Sequence, residues 1–512
     1  MINYTSSNKR IAKNTLFLYF RTIIVILITL YTSRVVLNVL GIDDYGIYQA
    51  VGGIVGFLSF VNSALGAGSS RFIAYALGEG DKERTKTIFN TTLTAHIILS
   101  LLVVLAAESI GYWFLHYKMI IPPDRIVAAE WVFHLSVLTI LFTITQVPYN
   151  ACIIAHEKMK VFAYVSIVDA VCKLLIVYLL LIGSLDKLIL YAILHFVLQI
   201  SILCFYRIYC SRRFYETHLQ LGINKEVFKE VVGFSGWSLF ANSAIALNSH
   251  GVLLILNMFF TPAVVAARSI SIQVEMAAYQ FVTNFQAATV PQIVKRYAQN
   301  DYTGSKRLVL SMTRYSFFLM LLMAIPILFS ADKLLKLWLG IIPPYTVVFL
   351  QLIIIQSLFQ VFDTSFYKAL YAKGQLRENA LLSPMCLFLN FAIVFVLFKI
   401  GFSPVVLSWS SAICYAGIAF IVKPILLIRI VNYTWKDIFL VLIPCLKVLL
   451  LSLPIPLLVS YYINQLEQPL LVEFIEVISV CVLSVAGVVW YFGLTREMRG
   501  KLLSVVLSKL GK

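Results

Sequence analysis

The chain has 512 residues, 60% of them hydrophobic and 13% charged, with a formal net charge of +17 and a mean hydropathy of +0.89. Soluble domains are about a quarter charged, so this composition excludes an ordinary water-soluble fold. Nucleic-acid binding is excluded as the reason for the basic excess, because most of the 41 lysines and arginines fall in alternate connections between apolar runs.

Read in chain order, the apolar runs are each about 20 residues long, the length of a bilayer-spanning helix. Fourteen spans are expected, at 14–37, 46–68, 89–114, 127–151, 161–182, 187–206, 234–258, 264–290, 308–330, 346–367, 380–399, 404–428, 438–462 and 470–493. The fold class is therefore an all-α polytopic membrane protein. Lys9, Arg10 and Lys13 make the N-terminus basic. The first run is too long for a signal-peptide core and lacks a small-residue cleavage site, which points to an uncleaved span. With that end inside, every inside segment is basic, and an even span number puts both termini in the cytoplasm.

Between the first two spans, Gly41-Ile42-Asp43-Asp44-Tyr45-Gly46 reads as a short polar turn, and 70–84 as a basic loop. Asp43-Asp44 is read as a solvated turn in preference to an acidic metal pair. Gly52 and Gly56 form a small-xxx-small pattern suited to close helix packing. In span 4, Thr139, Thr143, Gln146 and Asn150 fall at i, i+4, i+7 and i+11, one helical face. In span 5, Asp169 and Lys173 stand at i, i+4 and read as a structural ion pair. The longest inside connection, 207–233, contains 224–232, either an amphipathic surface helix or a solvated linker helix.

In span 8, Arg268, Ser271, Glu275 and Tyr279 share a face. Charges within spans are costly and usually face a polar interior, so this stripe either lines a water-filled cavity or locks span 8 to a neighbour by ion pairing. Arg21 in span 1 either joins such a cavity or snorkels to the interface. A shift of 217 residues lays 148–182 on 365–399 with six identities, among them Ala155/Ala372 and Ser166/Ser383. The same shift lays the span-4 stripe on Gln356, Gln360, Asp363 and Tyr367 in span 10, and the span-4 stripe with Gln356, Gln360 and Asp363 is expected to line a substrate cavity. Two parallel six-helix lobes follow. The expected organisation is a lobe over 1–206, a cytoplasmic linker over 207–233, a second lobe over 234–430, and two further helices with a basic tail over 431–512.

The eight cysteines lie mostly within spans without metal-ligand spacing, so no metal, disulfide framework or cofactor is expected. No catalytic constellation appears, and the short external loops argue against an enzyme. Arginine suits phosphate oxygens, and Gln, Asn, Ser and Thr suit sugar hydroxyls, a weak pointer to anionic polar cargo.

The stretches 40–48 (LGIDDYGIY), Arg71-Phe72-Ile73 with 77–81 (LGEGD), and 147–151 (VPYNA) with 155–159 (AHEKM) resemble bacterial polysaccharide flippases. These belong to the multidrug/oligosaccharidyl-lipid/polysaccharide exporter superfamily. The resemblance implies a V-shaped, MATE-like fold around a cationic cavity, working by alternating access in the bacterial inner membrane. It implies a cargo of undecaprenyl-pyrophosphate-linked repeat units of O-antigen or capsule type. Membrane lipids are the other expected partners, and a coupling cation is left open by Glu275 and Asp363. Cavity arginines are expected on spans 1 and 8, with Arg268 the match in span 8 and either Arg21 or Arg34 in span 1. The alternatives are a cation-coupled multidrug antiporter of the same superfamily and, from another class, a membrane glycosyltransferase or polymerase.

Overall fold

A computed structural model describes residues 4–500 apart from 59, 157, 183, 184, 219, 221, 376, 464, 467, 496 and 497. It describes the backbone alone at 4–21, 63–65, 67, 68, 70, 71, 74, 78, 79, 159, 162, 230–238 and 241. The described residues form helices and no strand. These are α1 Tyr4–Leu40, α2 Ile42–Leu58, α3 Phe60–Glu79, α4 Lys82–Ala106, α5 Tyr112–Tyr117, α6 Ile126–Ala155, α7 Met159–Leu179, α8 Lys187–Arg213, α9 Lys225–Ala246 and α10 Val252–Phe259. There follow α11 Pro262–Ala298, α12 Tyr302–Leu339, α13 Thr346–Lys373, α14 Arg377–Lys399, α15 Val406–Gly417, α16 Lys423–Val431, α17 Trp435–Ser452, α18 Pro454–Ile463 and α19 Leu470–Val488. Single π-turns join α4 to α5, α9 to α10 and α15 to α16.

All fourteen expected spans fall on helix, and ten helical stretches among the described residues are long and apolar enough to cross a membrane. The chain is a multi-pass membrane protein. It divides into two compact units, Met1–Ser269 with Leu387–Pro404, and Ile270–Cys386 with Val405–Lys512.

In the first unit, α6 packs against α3, α4 and α8. One end of this core holds Phe89, Leu93, Tyr149, Cys152, Tyr206 and Cys210, with the Phe89 and Tyr149 rings edge to face at 5.2 Å. In the second unit, α12 packs against α13, α17 and α19, and Phe317, Phe362 and Phe420 follow one another at 5.2 and 5.4 Å. Lipid tails are as apolar as these side chains, so such contacts stabilise by close packing more than by escape from water.

Three expectations about connections are corrected. The polar turn 41–46 is mostly helix. Gly41 alone, at φ +83°, separates α1 from α2, a left-handed position that glycine adopts without a Cβ penalty. Asp43 and Asp44 then occupy the first turn of α2, where carboxylates favour the positive end of the helix dipole. Asp44 is also not a solvated turn residue. Arg125 donates from Nε to its Oδ1 at 2.8 Å and from Nη2 to its Oδ2 at 2.6 Å, and from Nη1 to Asp186 Oδ2 at 2.5 Å. Thus one guanidinium ties the starts of α2, α6 and α8 together.

The basic loop shortens to Gly80-Asp81. Asp81 caps α4 by accepting from Arg84 N at 2.9 Å. Finally, 224–232 is neither a separate surface helix nor a solvated linker helix. Asn224 caps α9 by accepting from the amides of Glu226 and Val227, and that helix runs on into the seventh span. The connection before it is docked on α4. Asn90 donates to His218 O at 3.3 Å and accepts from Gln220 N at 2.8 Å, and Thr91 accepts from Asn224 N at 3.2 Å. His156 stacks on Phe214 at 4.1 Å and pairs with Glu216 at 2.5 Å.

Candidate functional site

The first unit contains a cavity of about 390 Å³ walled by α2, α6, α8 and the π-turn before α10. Glycines set its geometry. A Cβ at Gly46 would lie 2.0 Å from Pro262 O, and one at Gly56 2.5 Å from His250 Nδ1. Gly46 therefore lets α2 approach the start of α11 backbone to backbone, and Gly56 leaves room for the His250 imidazole of the π-turn before α10. Gly52 does not share that role. It lines the cavity, and a Cβ there meets nothing within 4 Å.

From α6, Thr139 and Thr143 line this cavity together with Ser136. Their hydroxyls donate to Leu135 O at 2.8 Å and Ile140 O at 3.0 Å. Further along the same face, Gln146 Nε2 donates to Asn150 Oδ1 at 3.5 Å, beyond the residues that line the cavity. Opposite, α8 contributes His195 and Gln199 and α2 contributes Tyr48 and Gln49. His195 packs edge-on against Tyr191 at 4.7 Å, and its Nε2 is buried with no hydrogen-bond partner among the described residues.

In the second unit, the face of α11 that carries Ser271, Glu275 and Tyr279 meets hydroxyls and a carbonyl of α13. Ser271 donates to Thr346 O at 3.3 Å, Glu275 accepts from Ser357 at 3.0 Å, and Tyr279 bonds Thr364 at 2.8 Å. Gln286 extends the series by donating to Thr364 at 3.1 Å and Ser365 at 2.9 Å. Each rung satisfies a polar group that would be costly left bare. Arg268, nearer the start of α11, belongs to the first unit and is 4% exposed.

The face of α13 expected from span 10 is split. Gln356 is buried, with Oε1 lacking a partner among the described residues, and Gln360 is half-buried. Asp363 is paired with Lys423 Nζ at 2.9 Å. On α7, Lys173 Nζ lies 2.8 Å from Asp169 Oδ2. The Arg21 side chain lies outside the described residues.

Thus Thr139 and Thr143 gather in one cavity, and Ser271, Glu275 and Tyr279 gather along α13. Sequence reasoning missed His195, Gln199, Gln286 and Lys423. Three of these carried a signal. His195 and Gln199 stand at i, i+4 within an apolar run, and Lys423 is a lone charge inside the expected span 404–428. Among the described residues no group of three or more His, Cys, Asp or Glu side chains is placed to hold a metal ion.

A family model described as polysaccharide biosynthesis protein matches residues 11–296. No curated protein matches the chain. Among solved structures, the chain is similar to lipid II flippase MurJ in an inward closed conformation. The identity is 11%, the TM-score 0.70, and the match covers 97% of this chain and 100% of that one. It is also similar to an inward-facing multidrug resistance MATE family transporter of the MOP superfamily, at 13% identity and TM-score 0.68, over 79% of this chain and 94% of that one. At these identities the likeness is one of fold.

Proposed function

The chain belongs to the polysaccharide biosynthesis protein family, and from that premise we propose that it flips undecaprenyl-pyrophosphate-linked oligosaccharide repeat units across the bacterial inner membrane. The family match over 11–296 carries this reading. The protein works by alternating access in a fold of the superfamily's transporters, with both termini in the cytoplasm. Its work is positional: it exchanges the hydration of a polar headgroup for buried hydrogen-bonding groups, and no bond in the cargo is made or broken.

Arg268 serves the pyrophosphate, since a guanidinium matches phosphate oxygens bidentately. The hydroxyl and amide groups of Thr139, Thr143, Gln146, Asn150, Gln356 and Gln360 serve the sugars. The alternative, a cation-coupled multidrug antiporter, is favoured by the fold it shares with a MATE transporter. Against it, Asp363, a natural coupling acid, already has Lys423 as its counter-ion.

Deleting the gene in its host tests the proposal. Lipid-linked oligosaccharide should accumulate on the cytoplasmic face, with surface polysaccharide lost. Unchanged surface glycan together with altered drug tolerance would select the antiporter.

A further inference from the structure

We propose that the cavity of the first unit is a seat for an uncharged, hydroxyl-rich sugar, so that the glycan of the cargo is recognised apart from its phosphate. This inference rests on the reading of the cargo as a lipid-linked oligosaccharide and adds to it a location and a chemistry. Among the described residues the lining contains no lysine, arginine, aspartate or glutamate. Its polar groups are neutral, chiefly Gln49, Ser136, Thr139, Thr143, His195 and Gln199. A phosphate moved from water into such a site would lose its hydration without meeting a cation, a cost that neutral donors offset poorly. An organic cation would likewise meet no carboxylate among the described lining residues.

A sugar hydroxyl both donates and accepts, and the wall answers in both senses. Thr139 and Thr143 line the wall, and their protons are committed to the carbonyls of Leu135 and Ile140, so these hydroxyls have acceptor capacity left to offer. Each glutamine amide offers two donors and an acceptor. Tyr48 and Phe196 add aromatic rings to the same wall. The volume, about 390 Å³, lies in the range of small-molecule sites, roughly 300–1,000 Å³. It suits a sugar-sized group and excludes a whole lipid-linked repeat unit.

Gly52 makes the idea testable. It lines the cavity, and a side chain there grows into open space. The full-length protein in lipid nanodiscs would be titrated by saturation-transfer NMR with a panel of neutral methyl glycosides, and separately by phosphorus NMR with inorganic pyrophosphate. At least one glycoside should bind saturably. In Gly52→Leu its affinity should fall about tenfold or more, with pyrophosphate binding unchanged. Should Gly52→Leu fail to fold, the near-isosteric Thr139→Val/Thr143→Val variant removes two acceptors and should weaken the same glycoside.

Absence of glycoside binding, equal binding by the filled variants, or loss of pyrophosphate binding in Gly52→Leu would overturn the sugar seat. The two readings fail separately. Normal flipping by Gly52→Leu in a host that needs the protein removes the seat and leaves the transport function. Cavity-dependent glycoside binding, in a protein whose loss leaves lipid-linked glycan unchanged, keeps the seat and removes that function.

Discussion

Lys423 Nζ lies 2.9 Å from Asp363 Oδ1 inside the second unit, with the lysine side chain 3% exposed and the carboxylate 19%. The ammonium also donates to Asn379 Oδ1 and stands 5.4 Å from the Tyr367 ring centroid. Three side chains from α13 and α14 therefore converge on one buried positive charge carried by α16. Each charge of the pair is tolerable there only because of the other, since either alone would have surrendered its hydration for nothing.

Lys423→Met should consequently destabilise the protein by about 3–5 kcal/mol, the usual cost of stranding one member of a buried pair. Adding Asp363→Leu should restore most of that loss. Unfolding in mild detergent measures both variants. A double variant no more stable than the single one would show that the two charges do not compensate each other.

Positions 46 and 52 of α2 should behave oppositely although both are glycine. In Gly46→Ala the new methyl meets a backbone carbonyl at 2.0 Å, so α2 and the start of α11 must separate, at a cost of about 1–3 kcal/mol. In Gly52→Ala nothing is displaced and helix propensity improves by up to ~1 kcal/mol. Melting temperatures of the two variants should move in opposite directions.

Tyr279→Phe and Thr364→Val, taken singly and together, measure the rung between α11 and α13. Hydrogen bonds between membrane helices are worth about 0.6 kcal/mol on average and up to about 1.7. The coupling energy should fall in that interval, and a coupling of zero would mean that the 2.8 Å contact stabilises nothing.

The Arg125 cluster gives a pH signature. At Asp186, burial acts to raise the pKa, but the Arg125 hydrogen bond and the amides of Ile189 and Leu188 outweigh it and hold the carboxyl below its usual 3.8. Its stabilisation is complete above pH 3.8 and fades as the pH falls through the lowered folded value. At Asp44, burial wins over Arg125, with the Asp186 and Asp43 carboxylates adding to it, and the pKa is raised. That group works in the opposite sense, favouring the fold as it takes up a proton. Arg125→Gln should therefore flatten the acid limb of the stability profile. At these partly exposed sites the loss at neutral pH should be only about 1 kcal/mol per pair.

Arg268→Ala should abolish translocation while membrane levels stay normal. Transport at the wild-type rate by that variant would remove Arg268 from the cargo path.

Much of the fold was legible because apolar runs of about 20 residues leave few options in a bilayer. The connections were harder. Asp43 and Asp44 look like turn residues, and nothing local announces that Arg125, 81 positions away, has claimed Asp44. The polar face of α6 and the candidacy of Thr139 and Thr143 for a cavity could be read from their spacing, but the opposite wall of the cavity could not. That wall depends on α8, whose His195 and Gln199 sit in an otherwise apolar run. The stripe on α11 could be read as a stripe, while its partners, the hydroxyls of Ser357 and Thr364, are too ordinary in sequence to stand out.

The connection clipped to Asn90 and Thr91 bears on how this protein can be handled. It is the longest hydrophilic stretch between helices, and hence the obvious place to insert a fluorescent reporter, cut with a protease or split the gene into complementing halves. Yet the His218 carbonyl and the Gln220 and Asn224 amides are already held by α4, so an insertion there would pull this connection off the wall of the first unit. Fusions belong at the ends of the chain, and resistance of residues 214–224 to limited digestion would be the simplest laboratory sign that the clip holds.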